Sequence, residues 1–255
     1  MKIKILGSGS VYGVPLYFNK FNNANKKDKK QFRNRCCAYM QIKGHDLLFD
    51  MPPEFRLLIN QNNITNIDAV FITHGHYDHI AAIPELQQAS FILEHEIEVF
   101  CSKQAFDEIK HAYHYMFDEN GKSKLKYIKW NVFENGDVIK YKNVEFKTFA
   151  VPHGKLQTTV YKHKNMALVM DLEDLPNTVI RNLQNLDLLI IECNNGLQKL
   201  YNGHSDFYKV TKWLSEINPK KAILTHISTW ADIDEMRKQL PSNVKIAFDG
   251  MEIEL

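Results

Sequence analysis

The stretch Thr73-His74-Gly75-His76-Tyr77-Asp78-His79-Ile80 decides how this sequence is interpreted. Three imidazoles and one carboxylate lie within six residues, and they directly follow the apolar run Ala69–Thr73, which is predicted to be a buried strand. A loop that leaves a strand can turn the first two histidines to one side. A helix that begins near Asp78 then directs this carboxylate and the third imidazole to the same point. Because imidazole and carboxylate together suit Zn, Fe or Mn, the pattern predicts a transition-metal site.

Polar residues with ligating side chains also follow other apolar runs. Asp50 ends the run 47–50, His153 follows the strand that ends at Ala150, Asp171 ends the run 166–171, and His226 ends the run 222–226. A single aspartate at a strand end is more often a turn former or a helix cap. The same placement at five strand ends, however, predicts one shared edge where the strands converge on a site.

Composition and charge restrict the class of protein. The chain has 255 residues, of which 44% are hydrophobic and 24% are charged, and these values exclude extended disorder and collagen-like repeats. The formal net charge of +2 argues against a surface coated with positive charge for nucleic acid. The four cysteines form no CxxC pattern, so we expect reduced thiols rather than a disulfide framework.

Short apolar runs alternate with helical patterns, without a repeat or an internal linker, which predicts one domain over residues 1–255. Neither a signal peptide nor a run of about 18 apolar residues is visible, so we expect no membrane association and a cytoplasmic location. Strands are predicted at 2–6, 36–42, 46–50, 69–73, 143–151, 157–162, 166–170, 186–191 and 222–225. Helices are predicted after Ser102, with Phe106, Ile109, Ala112, Tyr113 and Met116 on one face, at about 176–184, and at about 206–217.

Three further features receive predictions of their own. Residues 17–35 are polar and rich in lysine, and they form either a mobile surface loop or a basic lip that attracts an anionic substrate. Residues 7–10, Gly-Ser-Gly-Ser, are predicted to be a turn, with the alternative that their backbone amides hold a phosphate. The histidines outside the motifs are predicted to face solvent, and they are His45, His95, His111, His114 and His163.

The order of these ligating residues resembles that of the metallo-β-lactamase-fold superfamily of binuclear metal hydrolases, over essentially the whole chain. The resemblance implies an α/β fold, a four-layer αββα sandwich of mixed sheets with the site at one edge. It implies that His74, His76 and His153 hold one metal, that Asp78, His79 and His226 hold the second, that Asp171 bridges both, and that Asp50 orients the histidine loop from behind. The implied cofactors are two divalent ions, with Zn²⁺ as the expected metal and Mn²⁺ or Fe²⁺ as alternatives.

The stretch Gly203-His204-Ser205-Asp206-Phe207 is similar to the phosphodiesterase branch of that superfamily, which includes ribonuclease Z and PhnP-like cyclic-phosphate phosphodiesterases. This likeness implies that His204 gives a proton or a hydrogen bond to the phosphoryl or leaving-group oxygen, and Glu192 is a candidate partner that orients it. Asp78 and His204 are thus the predicted catalytic residues. The alternative is that His204 merely neighbours a helix cap.

Two features favour the PhnP-like members. His153 and Asp171 are 18 positions apart, which leaves room for two strands and a turn but not for the long tRNA-clasping arm of bacterial ribonuclease Z. The segments 6–15 and 151–154 also resemble PhnP-like proteins more closely, although residues 16–35 lack the cysteines of the extra zinc clip that those proteins often carry.

The predicted function is therefore hydrolysis of a small or cyclic phosphodiester by a hydroxide that bridges two metals about 3.5–4 Å apart. The alternatives are a ribonuclease Z-like endonuclease that processes tRNA 3′ ends, a lactone or thioester hydrolase of the same fold, and a metal-binding protein without catalysis. The expected partners are a small anionic substrate and a second copy of the chain in a homodimer, with nucleic acid less favoured.

Overall fold

Two seven-stranded sheets form the centre of the computed structural model, which describes residues 1–198 and 202–255. The strands are β1 (Lys2–Gly7), β2 (Cys37–Ile42), β3 (His45–Phe49), β4 (Ala69–Phe71), β5 (Ile97–Ser102), β6 (Ile128–Phe133), β7 (Val138–Tyr141), β8 (Val144–His153), β9 (Leu156–His163), β10 (Met166–Val169), β11 (Leu188–Glu192), β12 (Ala222–Thr225), β13 (Val244–Ile246) and β14 (Met251–Glu254). The α-helices are α1 (Phe55–Gln61), α2 (Tyr77–Ile80), α3 (Leu86–Leu93), α4 (Lys103–Ala112), α5 (Asn177–Asn182), α6 (Phe207–Ile217) and α7 (Ile233–Gln239).

Both sheets are mixed. The first has the order β14-β1-β2-β3-β4-β5-β6, in which β14 to β3 pair antiparallel and β3 to β6 pair parallel. The second has the order β13-β12-β11-β10-β9-β8-β7, in which β10 to β13 pair parallel and the remaining pairs are antiparallel. The predicted strands are thus confirmed, with ends that differ by a few residues.

Three apolar layers define a four-layer αββα sandwich, as the sequence predicts. Along β4, Phe71 lies in the layer between the sheets, whereas Val70 packs in the outer layer with residues of α1, α3 and α4. In β11, likewise, Ile190 faces the first sheet and Ile191 faces the outer layer with α5, α6 and α7. Because these strands are buried on both faces, they read as continuous apolar runs. Truncation of a fully buried ring such as Phe71 to alanine would cost about 3–5 kcal/mol.

The predicted helix starts are confirmed by their caps. The Ser102 hydroxyl accepts a hydrogen bond from the Ala105 amide, and the Asp206 carboxylate accepts one from the Lys209 amide. The expectation of one apolar helical face as far as Met116 is wrong, because α4 ends at Ala112, which is exposed. A short 3₁₀ turn follows and buries Met116 by a different route.

Residues 7–10 are not the predicted turn. A Cβ atom at Gly7 would lie 1.9 Å from the carbonyl oxygen of Arg35, so glycine is required there for close backbone packing. The amides of Ser8, Gly9 and Ser10 already donate to Asp249, Asn34 and Ile227, which leaves none of them free for a phosphate.

The lysine-rich segment 17–35 is attached to the rest of the molecule through its polar side chains. Asn23 donates to the Trp230 carbonyl and Gln31 donates to Asp234, while Arg33 is buried and donates to Ser8. Its lysines are exposed at positions 20, 26, 27, 29 and 30. None of the helices in the described ranges is both long and apolar enough to cross a membrane.

Candidate metal centre

The histidine loop begins where β4 ends. Thr73 closes the apolar run, and α2 begins at Tyr77, directly after His76. Gly75 has no room for a side chain, because its Cβ would lie 2.4 Å from Cβ of Glu108, an atom that is fixed to the helix backbone. The glycine of the motif is therefore a packing requirement that lets α4 approach the loop.

One group of donors consists of three histidines and an aspartate. Nδ1 of His76 lies 3.0 Å from Nε2 of His74 and 3.0 Å from Nε2 of His153. The carboxylate oxygen Oδ2 of Asp171 lies 3.6 Å from Nε2 of His74 and 3.5 Å from Nε2 of His153. The four side chains come from the loop after β4, the end of β8 and the residue after Met170, so the folded chain gathers them from three separate stretches.

A second group shares Asp171 with the first. Oδ2 of Asp78 lies 3.3 Å from Nε2 of His79 and 3.4 Å from Nε2 of His226. Asp171 contributes both of its oxygens, with Oδ2 3.6 Å from Nε2 of His79 and Oδ1 3.1 Å from Nε2 of His226. The seven side chains thus form two four-donor clusters that meet at one carboxylate.

The donor distances fit divalent metal ions. A tetrahedral shell with bonds of about 2.0–2.2 Å places its donors roughly 3.3–3.6 Å apart, close to the distances found in both clusters. Nε2 of His79 and Oδ1 of Asp171 are buried, and although Oδ2 of Asp78 and Nε2 of His226 lie 3.3 and 3.1 Å from them, neither atom makes a hydrogen bond of good geometry among the described residues. Since buried polar atoms are nearly always partnered, two such atoms in one cluster point to a bound cation.

Electrostatics at the centre follow from burial and from the mixture of charges. Burial and the neighbouring His79 hold the pKa of His74 well below its ordinary value, so its imidazole is neutral and ready to ligate. Burial opposes a charge on His79, but the carboxylates of Asp78 and Asp50 outweigh it and raise the pKa of His79 well above its ordinary value. A metal that binds His79 would therefore displace a proton.

Further hydrogen bonds orient the ligands. Nδ1 of His153 donates to the carbonyl of Gly203 at 2.6 Å, and Nδ1 of His79 lies 2.7 Å from Oδ2 of Asp50. In each ring the bonded nitrogen is Nδ1, so Nε2 is the nitrogen that faces the cluster. Asp50 thus lies behind the loop, where the sequence predicts it.

Three residues of this region have left-handed backbone conformations. The φ angles are +63° at Asp50, +46° at Asp171 and +55° at His226. Such angles are uncommon outside glycine and cost of order 1–3 kcal/mol each. Each of these residues directly follows the end of a buried run, and the strained turn directs its side chain toward the cluster. The sequence carries no signal for this strain.

His204 lies beside the two clusters. Its Nδ1 lies 2.9 Å from Oε2 of Glu192, and its ring packs on the rings of His153 and His226 at centroid distances of 4.7 and 5.4 Å. The other oxygen of Glu192 accepts hydrogen bonds from the amides of Ser205 and Leu172. Glu192 therefore holds His204 in place, which is the arrangement that the sequence predicts for this pair.

The pKa values of the pair move apart. Burial disfavours the charge on each group, yet the Glu192 carboxylate raises the pKa of His204 above its ordinary value. In turn the His204 imidazole lowers the pKa of Glu192 to about 2. An imidazolium beside a buried carboxylate is the state that can donate a proton near neutral pH.

Sequence reasoning missed some residues around the centre. Asn194 contacts Nδ1 of His226 through its side chain, and Gly203 binds His153 through its carbonyl oxygen, but neither has a ligand-type side chain to draw attention. The prediction for His163 is wrong, because this ring is buried and donates from Nδ1 to the Glu145 carbonyl. His111 and His114 are exposed, as predicted, while His45 and His95 are partly buried.

This chain is similar to known proteins in family profile, in sequence and in structure. The profile of the β-lactamase superfamily domain matches residues 45–227. An octanoyltransferase of Porphyromonas gingivalis is 25% identical over 256 residues, which cover 99% of this chain and 51% of that protein. The chain therefore spans about half the length of this relative.

A ribonuclease Z of Archaeoglobus fulgidus is 24% identical over 289 residues, which cover 88% of this chain and 92% of that protein. Among solved structures, a diphosphatase from the PhnP family superposes with a TM-score of 0.88 at 24% identity, over all of this chain and 97% of that one. This superposition confirms the fold.

Proposed function

The chain belongs to the β-lactamase superfamily, whose relatives include metal-dependent hydrolases, and we propose that it is a binuclear phosphodiesterase for a small or cyclic phosphodiester. The observation that carries the proposal is the pair of four-donor clusters that meet at Asp171, with His204 beside them on a buried glutamate. Fold alone decides no substrate in such a superfamily, so these side chains are the basis of the proposal.

The proposed roles follow the two clusters. One ion would be held by His74, His76 and His153 and the other by Asp78, His79 and His226, with Asp171 between them. Two divalent ions, Zn²⁺ by the donor set with Mn²⁺ or Fe²⁺ as alternatives, would polarise the phosphoryl oxygens and lower the pKa of a water molecule. The protein keeps this donor set rigid, because every donor except His76 is at least nine-tenths buried.

His204 supplies the proton for the leaving group in this proposal. Its Nδ1–H bond to Glu192 fixes the ring, so the proton that can be transferred is the one on Nε2. The Glu192 carboxylate raises the pKa of His204, which keeps that proton in place around neutral pH until the leaving oxygen develops negative charge.

The surroundings of the centre support a small substrate. A groove of about 790 Å³ lies on one side, where His76 is flanked by Lys103, Gln104 and Glu108. This volume is within the range of about 300–1,000 Å³ that is usual for small ligands. The interval between His153 and Asp171 consists of β9 and β10 and contains no projecting arm.

A second candidate function is a ribonuclease Z-like endonuclease. It is favoured by the match to the Archaeoglobus fulgidus ribonuclease Z along most of both chains, and by the exposed lysines of the segment 17–35. In that case the lysine-rich segment would take the part of the missing arm and contact the phosphates of tRNA.

The test combines elemental analysis of the purified protein with a panel of substrates. The panel holds an aryl phosphodiester, a 2′,3′-cyclic nucleotide, a precursor tRNA, an octanoyl thioester and a lactone. We expect about two divalent ions per chain and turnover of the two small phosphodiesters. Cleavage confined to the tRNA would favour the second candidate, and cleavage confined to the thioester or lactone would contradict both.

A further inference from the structure

A small cavity has His204 in its lining, together with Asn194, whose side chain contacts the metal-ligand candidate His226. Its volume is about 160 Å³, and its lining includes Ser10, Tyr12, Asn194, His204, Ser228 and Trp230. Pockets for whole small ligands usually measure about 300–1,000 Å³, so this one has room for a single ring-sized group. Because His204 lines it, a group bound there would be next to the scissile bond of the proposed reaction.

Two buried polar atoms in the lining have no hydrogen-bond partner within the part of the chain that the structure describes. They are Oδ1 of Asn194 and Oγ of Ser228, and their residues are 2% and 4% exposed. Folded proteins rarely leave buried polar atoms unpaired unless a ligand or water pairs them. Two such atoms on residues that line one cavity therefore point to a polar group that binds there.

Metal binding decides which atom of Asn194 is free. If His226 ligates through Nε2, its Nδ1 carries a hydrogen, which faces the Asn194 atom at 3.0 Å more closely than Oε2 of Glu192 at 3.4 Å. That atom must then be the amide oxygen, since the amide nitrogen has no lone pair to offer. The side-chain nitrogen consequently takes the unpaired position, so that Asn194 and Ser228 each bring an unpaired N–H or O–H donor to the lining of the cavity.

The other residues that line the cavity indicate the chemistry of the ligand more closely. Tyr12 and Trp230 are 51% and 37% exposed, so their rings offer faces for stacking. The cavity is lined by no lysine or arginine of the described residues, which argues against a second phosphate group there. Aromatic faces combined with neutral donors suit a planar heterocycle that carries acceptor atoms on its edge.

We propose, resting on the phosphodiesterase function above, that this cavity is the subsite for a nucleobase of the substrate. Tyr12 or Trp230 stacks on the base, and Asn194 and Ser228 bind acceptor atoms on its edge. The natural substrate is thus a nucleotide-derived phosphodiester rather than one with an aliphatic or sugar leaving group.

The test measures equilibrium binding of AMP and ribose 5-phosphate to the metal-loaded protein by calorimetry. The two probes share a sugar and a phosphate, and only AMP has a base. We expect AMP to bind roughly tenfold more tightly or better, as stacking on one aromatic ring predicts. AMP should also quench the fluorescence of Trp230, which is the exposed one of the three tryptophans, and Trp230→Leu should abolish the quenching.

Two variants test whether the preference for AMP over ribose 5-phosphate comes from the cavity. Tyr12→Ala and Ser228→Ala should each weaken AMP roughly threefold to tenfold and leave ribose 5-phosphate unchanged. Tyr127→Ala is the matched control, because Tyr127 is 55% exposed and does not line the cavity, and it should bind AMP like the unmodified protein.

The outcomes separate the two proposals. Equal affinity for the two probes, or an AMP preference that survives both cavity variants, overturns the nucleobase subsite while the phosphodiesterase function stands. A protein that retains no metal and binds neither probe overturns the phosphodiesterase function, and the subsite with it.

Discussion

Oδ2 of Asp50 lies 2.7 Å from Nδ1 of His79, and the same carboxylate accepts hydrogen bonds from the backbone N–H and the hydroxyl of Thr73. One buried aspartate therefore fixes both the start of the histidine loop and the orientation of the His79 imidazole. The two residues are 29 positions apart in the sequence, and the fold brings them together. Such a carboxylate also makes the imidazole a better ligand, because it holds the hydrogen on Nδ1 and leaves Nε2 to bind the metal.

Replacement of this aspartate should weaken metal binding. We expect Asp50→Asn to lower metal affinity by about 10–100-fold, the usual loss when a carboxylate behind a ligating histidine is removed. Competition against a chromogenic chelator measures the change. Asp46→Asn, at the start of the same strand, is the control and should bind metal normally. Unchanged affinity in the Asp50 variant would show that His79 does not depend on this contact.

Removal of His204 should separate chemistry from metal binding. His204→Ala is expected to retain the full metal content and to lose turnover of a phosphodiester by about 10²–10⁴-fold, the usual contribution of a general acid. Elemental analysis and steady-state kinetics on the same preparation measure both quantities. His114→Ala removes an exposed imidazole and should be as active as the unmodified protein. Full activity in the His204 variant would assign the proton to another donor.

Metal binding should stabilise the fold. At a free metal concentration of about 100 times Kd, binding adds about 2.7 kcal/mol, which corresponds to a rise in Tm of roughly 5–10 °C for a chain of this size. Thermal unfolding with and without a chelator, followed by addition of Zn²⁺, measures this rise. His74→Ala removes one donor of the first cluster and should show a smaller response, whereas His114→Ala should respond fully. A Tm that changes neither with the chelator nor with added Zn²⁺ would contradict the metal centre.

The buried His163 predicts a pH dependence of stability far from the metal centre. Burial lowers the pKa of His163 below its ordinary value of about 6.5, so below that pH the unfolded chain binds a proton that the folded chain resists. The contribution of His163 is therefore complete above about pH 6.5, and stability is lost as the pH falls through that value.

Urea unfolding of the unmodified protein and of His163→Gln at pH 7.5, 6.0 and 5.0 tests this sign. The difference in unfolding free energy between the two proteins should shift in favour of the variant as the pH falls. Because glutamine does not titrate, the histidines of the metal centre affect both proteins equally and cancel. A difference that is constant across the series would contradict the prediction.

Much of the site was predictable because its chemistry is local in the sequence. His74, His76 and Asp78 lie within a few residues of one strand end, and Asp171 and His226 each follow a short run of apolar residues that is typical of a buried strand. Parallel strands place their carboxyl ends at one edge of a sheet, so the convergence of these ends follows from the pattern.

Other features had no signal along the chain. The burial of Met116 by a 3₁₀ turn beyond α4 depends on contacts that helical periodicity does not describe. His163 looks like a polar strand end, yet the carbonyl of Glu145 on the neighbouring strand gives its ring a partner and allows burial. Gly7 reads as a turn residue, although its role is to let the backbone of Arg35 come close.

The sequence by itself determined which side chains form the candidate site, because histidines and aspartates follow the ends of its apolar runs. The resemblance to a known superfamily implied the fold and the grouping of the ligands, and Glu192 was a candidate partner of His204. Only the tertiary structure decided the cavity beside His204, since Tyr12, Asn194 and Trp230 come from three connections whose meeting point no local pattern encodes. It also decided the left-handed turns at Asp171 and His226. Their strain is tolerated because the packed strands on either side hold the backbone in place.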